Sequence, residues 1–466
     1  MNDELKDNSE NIFDPVSSKA ERFARGNEIR KNVPRSVHQE WKPSVNRRDP
    51  VEILIESSIG RIETLLPIRY RRMMESPFAF FRGSAAIMAA DLAETPNSGI
   101  DLQLCGDCHL MNFGGFATPE RKLVFDINDF DETYPGPWEW DLKRLCASFA
   151  IAGRWRDFSN KNCKEFAWHA ADSYKRHMLD YSKLSALQIW YADIDLSELI
   201  EMGKDEEIKK FHQKRIKKAS EYTAHEKEFA KMTYHEGPRA RIKDDPPLIY
   251  HPTVREEEIV LKAAEKAHTQ YMKSLPDDKK ILLSRYKLHD IAIKVVGVGS
   301  VGTMCGISLL MSATGEPIFL QFKEARKSVL EPYLKNKSKY THQGERIVIG
   351  QKLMQSASDM FLGWTSDDLN RFFYIRQLRD AKVKPVLELK KTENMADYAK
   401  ACGWALARAH ARSGDPSLLS GYIGKGNEFA NAIAKFSILY ADQNEADYNK
   451  MLRAIKEGKL PIAPEM

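Results

Sequence analysis

Two short links decide the middle of this chain. Ile291-Ala292-Ile293-Lys294-Val295-Val296 is apolar and largely β-branched, and Gly297-Val298-Gly299-Ser300-Val301-Gly302-Thr303 follows it. Then come Ile307-Ser308-Leu309-Leu310-Met311, a Thr314-Gly315 turn, and Pro317-Ile318-Phe319-Leu320-Gln321-Phe322-Lys323. Strand-like runs joined by links this short pair antiparallel, because a parallel partner needs a crossover of about a dozen residues or more. A lone G-x-G-x-x-G is weak by itself, and a dinucleotide-binding fold requires a helix directly after the glycines. Here strand-like residues follow instead, so the pattern predicts a small antiparallel β lobe, over residues 285–390, whose third strand ends in a lysine.

A second stretch carries the polar chemistry. Gly106-Asp107-Cys108-His109-Leu110-Met111-Asn112 is a G-D-x-H-x-x-N turn, and Leu123-Val124-Phe125 reads as a buried strand leading into Asp126-Ile127-Asn128-Asp129-Phe130-Asp131. These are the residue types of a phosphoryl-transfer site. One carboxylate orients or deprotonates the attacking hydroxyl, while amide and carboxylate oxygens hold the Mg²⁺ that neutralises the phosphates. Asp107 is the candidate catalytic residue, and Asn112, Asp126 and Asp129 are the candidate metal ligands. Gly297, Gly299, Ser300 and Gly302 are candidates to cradle phosphates together with Lys323. Glu345, on a helix expected over residues 342–360, is the candidate partner of that lysine. ATP and Mg²⁺ are the cofactors this set implies. A purely structural alternative stays open, in which Asp107 and Asn112 cap turns and residues 126–131 form a solvated acidic loop.

The surroundings are read from spacing. At 466 residues the chain exceeds the roughly 300 at which one core stops growing, so two lobes are expected. Residues 1–48 are polar and predict a flexible arm, residues 49–180 the catalytic-loop part of a large helical lobe, and residues 181–284 a charged helical insertion. Residues 391–466 predict the C-terminal helices that complete the large lobe, among them an Ala-rich helix from Ala396 to Arg412 in which His410 caps or packs. Ser76-Pro77 marks a helix start, and Arg82, next to Gly83, is placed either to contact phosphate or to form a structural ion pair. Tyr134-Pro135-Gly136-Pro137 reads as a turn closing the acidic loop. Asp141 is suited either to cap the following helix or to hold the Asp107 loop through backbone N–H groups.

A formal charge of +5 is small for this length and makes no case for nucleic acid. Of the six cysteines, Cys105 and Cys108 flank Asp107 without a second pair to face, which suits reduced thiols, with zinc on Cys105, Cys108 and His109 as a minor alternative. No apolar run approaches the ~20 residues that span a bilayer, and the polar N-terminus lacks the apolar core of a secretion signal, so a cytoplasmic protein without a membrane partner is expected. The expected partners are a nucleotide and an unidentified acceptor, and the oligomeric state is left open.

Gly106-Asp107-Cys108-His109-Leu110-Met111-Asn112 and Phe125-Asp126-Ile127-Asn128-Asp129 resemble the H-G-D-x-H-x-x-N loop and I-D-x-x-D strand of the aminoglycoside phosphotransferase branch of the kinase fold, with Cys105 where that family often has His. In that branch the glycine loop and lysine strand come first, whereas here they follow Asp107 by about two hundred residues. The resemblance therefore implies an α+β, kinase-like two-lobed fold with circularly permuted lobe order. At the scale of the chain, PIRYRRMMESPFAFFRGSAA, GDCHLMNFGGF, VFDINDFDETYPGPWEWDLKRL, GVGSVGT, FYIRQLRD and CGWALARAHARSGD are similar to the bacterial domain of unknown function 2252 family, over roughly residues 45–420. That family implies no particular reaction. The residues themselves point to an ATP- and Mg²⁺-dependent phosphotransferase acting on a hydroxyl, with a nucleotide-binding pseudokinase and a nucleotidyl-transferring enzyme as alternatives. A metallophosphoesterase, whose G-D-x-H Gly106-Asp107-Cys108-His109 also matches, is less favoured, because the further D-x-H and the G-N-H that complete its two metal sites are missing from the sequence.

Overall fold

Short links give the antiparallel pairing they require. Tyr286–Lys294, Cys305–Ser312 and Pro317–Glu324 form a meander, with Lys323 opposite Cys305 on one side and Tyr374 of Phe372–Gln377 on the other. Gly363–Ser366 extends the sheet beyond Phe372–Gln377, and Ile249–Tyr250 forms its opposite edge, giving six strands. This is a computed structural model that describes residues 17–464 apart from 204, 221–228, 238, 252–253, 296, 379–382 and 384–390. The chain has a mixed α+β architecture.

Strand alternation gives the large sheet two apolar faces. Leu310, Ile318 and Leu320 pack with Tyr271 and Leu275 from the helix Val254–Ser274 and the turn after it. Ile307, Leu309 and Phe319 pack with Ala240 and Ile242 of a hairpin, Thr233–Glu236 with Arg239–Ile242. The hairpin interrupts the charged helical insertion expected over residues 181–284. The helix expected over 342–360 runs from Gln343 to Met354 and packs against the strands Gly363–Ser366 and Phe372–Gln377.

The larger core is helical. Glu139–Trp155 is buried along nearly its whole length and packs between Asn160–Lys183 and the long C-terminal helix Glu428–Lys456. Thr392–Ser413 lies against Asn160–Lys183, and a Cβ on Gly403 would come within 2.2 Å of the Ala170 carbonyl oxygen, so only glycine permits that approach. Of the arm expected over residues 1–48, residues 1–16 lie outside the described residues, and the rest begins with a helix. Ser18 and Glu21 form a capping box on the helix Lys19–Asn32, which packs on Pro416–Ile423. No helix among the described residues is long and apolar enough to cross a membrane.

Two small ribbons carry the polar stretches. Phe113–Ala117 pairs with Leu123–Ile127, and Asp101–Leu104 pairs with Tyr134–Pro137, so the segment expected as a turn is a strand.

Candidate functional site

The Asp107 loop is held from below by one carboxylate. Asp141 accepts the backbone N–H of Cys105 at 2.8 Å and that of Gly106 at 3.0 Å, one on each oxygen. His410 Nε2 lies 3.3 Å from the same carboxylate, with its Nδ1 2.9 Å from the Tyr174 hydroxyl. Of the two roles open to Asp141 the structure has the loop anchor, while Trp138 occupies the helix N-cap position. Gly106 turns the chain with φ +87°, where a Cβ would come within 2.1 Å of the Glu132 carbonyl oxygen. Asp107 emerges from this turn with 21% of its side chain exposed.

Arg144 claims one Asp107 oxygen. Its Nε and Nη2 lie 2.6 and 2.5 Å from Oδ1, and Nη2 also donates to the Phe81 carbonyl. Among the described residues Oδ2 accepts no hydrogen bond, and it lies 3.8 Å from His109 Nε2. Burial raises the Asp107 pKa above the ordinary carboxylate range, against the opposing pull of Arg144 and Arg82. Asn112 donates its Nδ2 to the Asp107 carbonyl at 2.8 Å, which leaves its amide oxygen available. The Asn128 N–H donates to the Asn112 carbonyl at 2.7 Å, and this pairing carries Asn112 and Asp129 into one cleft.

Lys323 arrives from the large sheet. Its ammonium pairs with Asp131 and lies 3.8 Å from Asp129. Asp131 also accepts the Tyr374 hydroxyl at 2.8 Å and the Ser300 hydroxyl at 3.3 Å. Burial works against the lysine's charge, but Asp129 and Asp131 outweigh it and hold its pKa well above the usual range. Burial likewise opposes ionisation of Asp131, yet Lys323 and Tyr374 win and lower its pKa, while burial and the neighbouring Asp131 raise that of Asp129. Glu345 makes no ion pair with Lys323: its backbone caps on His342, and Asp131 takes the partner role. The signal for Asp131 was the D-x-D spacing around Phe130, which is 2% exposed. These three residues form the loop after Leu123–Ile127, and with Phe130 buried the two flanking carboxylates line the cleft.

The glycine loop is clamped by its carbonyls. Arg61 donates to Gly299 and Val301 at 2.8 and 2.6 Å, Ile62 N–H donates to Gly302 at 2.7 Å, and Arg72 donates to Gly297. Gly297 and Gly302 have φ +69° and +89°, which favour glycine. Gly297, Gly299 and Ser300 share with Asp107, Asn112, Asp129 and Asp131 a cleft of about 580 Å³, and Lys323 sits behind Asp131 with 4% exposure.

Asp126 is not brought to this cleft. It is fully buried, with Arg408 Nη2 at 2.7 and 2.8 Å from its two oxygens and Ser356 donating both N–H and hydroxyl to Oδ2. A carboxylate engaged by that many internal donors suits an anchor, not a cation ligand. Cys105, Cys108 and Asp141 do place ligand atoms within 4.8 Å of one another, from a C-x-x-C spacing that brackets Asp107. Both Asp141 oxygens are engaged, however, and burial pushes the Cys108 thiol up to about 11 and Cys105 well above its ordinary value. His109 stays out of that group, its Nδ1 accepting the Met111 N–H.

Over residues 61–454 the chain matches a family described as an uncharacterized protein conserved in bacteria (DUF2252). No curated protein and no solved structure matches it.

Proposed function

We propose that this chain, which belongs to the DUF2252 family, is an ATP- and Mg²⁺-dependent phosphotransferase of permuted kinase-like architecture that acts on a hydroxyl acceptor. One observation carries the proposal: Asp107, Asn112, Asp129 and the glycine loop line a single cleft, with the Lys323–Asp131 pair at its back. The strand–glycine loop–strand–lysine strand–helix order supplies the parts that hold nucleotide phosphates in kinase-type small lobes. The donor set also suits a hard cation. Asn112 has its amide oxygen free and Asp129 keeps 35% of its side chain exposed, so these two would hold Mg²⁺, whose charge would offset that of the phosphates.

In this reading Arg144 fixes the Asp107 carboxylate through Oδ1, and Oδ2 receives the proton of the acceptor hydroxyl. The acceptor oxygen bonds to the γ-phosphorus as the bond from phosphorus to the β,γ-bridging oxygen breaks, and that electron pair leaves on ADP. Asp131 holds Lys323 at the back of the cleft, where its positive charge would favour phosphates bound near the glycine loop.

A second reading draws on the Arg144–Asp107 pair itself, since a carboxylate clamped by a guanidinium is a weaker base. A nucleotide-binding protein without transfer would tolerate that clamp. Incubating the purified chain and Mg²⁺ with ATP labelled at the γ- or α-phosphate, with and without cell extract, decides between them. Label passed from the γ-position supports phosphotransfer and from the α-position nucleotidyl transfer. Mg-ATP binding with neither supports the pseudokinase, and no binding removes the nucleotide site altogether.

A further inference from the structure

Guanidinium groups crowd the cleft, and most are spent on the protein. Arg61 serves the glycine-loop carbonyls, Arg69 donates to Ser58 and Gly83, Arg326 donates to Ile59, and Arg371 pairs with Asp367. Arg82 differs. It lies in the last turn of the helix Pro77–Gly83 and lines the cleft, and where Arg69 leaves only its Nε unpartnered, the Arg82 side chain, its buried Nε included, donates no hydrogen bond among the described residues. Leaving a buried donor unpaired is costly, so it marks a place where something else supplies the acceptor. The electrostatic neighbours of Arg82 are Asp107, Glu75 and Asp129. The glycine loop passes close to the Arg82 backbone as well, since a Cβ on Gly299 would lie 3.2 Å from its carbonyl oxygen, and Gly299 lines the same cleft.

Arg82 thus stands among the proposed base, the proposed cation ligand and the phosphate-cradling loop. We infer that Arg82 is a further catalytic residue, whose guanidinium binds the phosphoryl group in transfer. This rests on the phosphotransferase reading above. As the acceptor oxygen–phosphorus bond forms and the bond to the ADP oxygen breaks, charge spreads over the three equatorial oxygens, and a planar fork of N–H donors matches two of them. The electron pair leaves on ADP and the acceptor proton goes to Asp107, so Arg82 gains and loses no proton.

The test compares wild type, Arg82→Ala and Arg82→Lys by calorimetry with Mg-ADP, alone and with aluminium fluoride, which mimics the planar phosphoryl group. Thermal melts check that each variant folds. Expected is Mg-ADP affinity within about twofold of wild type in both variants. The fluoride complex should weaken by roughly 10²–10³-fold in Arg82→Ala, the scale of one lost oxyanion donor, with part regained in Arg82→Lys, which keeps the charge without the fork. Full affinity of Arg82→Ala for the fluoride complex overturns the role of Arg82 and leaves the nucleotide site standing. Equal loss for Mg-ADP and its fluoride complex also overturns it, because the contact would then be to the resting phosphates. A wild type that binds neither ligand overturns the site itself. Should Arg82→Ala fail to fold, Arg82→Lys carries the same comparison, and fluoride-complex affinity equal to wild type there removes the requirement for the fork.

Discussion

Replacing Asp126 by Ala separates an anchor from a ligand. Arg408 is fully buried, its Nε and Nη1 already lack partners, and its Nη2 donates to Asp126 and to the Met354 carbonyl. Removing the carboxylate therefore strands a buried cation, which costs about 3–5 kcal/mol. The Ser356 N–H and hydroxyl lose their acceptor too, for about 1–3 kcal/mol, although losses within one network do not simply add. A total near 5 kcal/mol takes a large share of an ordinary stability margin of about 5–15 kcal/mol. Asp126→Leu combined with Arg408→Met should recover most of that, since an apolar pair of similar volume replaces a buried ion pair at little cost. Urea midpoints for the two single variants and the double variant measure the coupling, and calorimetry with Mg-ATP well below the melting range measures the site. The expected result is a large drop in midpoint for each single variant, recovery in the double, and near-normal Mg-ATP affinity wherever the chain is folded. An Asp126→Ala protein with an unchanged midpoint and lost Mg-nucleotide binding would refute this reasoning and return Asp126 to the metal.

Lys323→Met keeps the stem and removes the charge, so Mg-ATP affinity should fall roughly ten- to a hundredfold, the scale of a lost charge-assisted contact; unchanged binding by calorimetry would make the Lys323–Asp131 pair purely structural. Asp107→Asn should lower turnover by roughly 10²–10⁴-fold while Mg-ATP affinity stays within about threefold, and a parallel loss of binding would argue against a base. A base works only when deprotonated, and burial raises the Asp107 pKa, so kcat/KM should fall with decreasing pH on a limb lying above the ordinary carboxylate range. Arg144→Gln removes a cation that lowers this pKa and should move the limb further up; a pH–rate profile that does not move counts against the pairing.

Local signals found the sheet and several residues that line the cleft. Strands separated by a glycine loop and a Thr314-Gly315 turn have little choice but to pair antiparallel, and the lysine that ends the third strand comes with them. The tight loop from Asp107 to Asn112 is equally local. What failed depended on partners far along the chain. Asp126 sits on a strand like any residue delivered to a cleft, but Arg408 lies 282 positions away and claims it. Glu345 stands on the right helix, yet Asp131 reaches Lys323 first, from a loop 192 positions earlier. Other signals were present and outweighed. Ser18-x-x-Glu21 is a capping box inside a stretch too polar to suggest packing, and the glycine of the Thr233–Ile242 hairpin sat in a region whose charge suggested helices.

The separation between Asp131 and Lys323 also sets an order in time. A ribosome adding about 5–20 residues per second needs roughly 10–40 s to travel the 192 positions between them. Throughout that interval the nascent chain carries the Asp107 loop and both carboxylates without the lysine, and for most of it without the glycine loop, which precedes Lys323 by only a short stretch. A polypeptide released early lacks the third strand that brings Lys323 to Asp131, and the helices that close the core, Thr392–Ser413 and Glu428–Lys456, emerge later still.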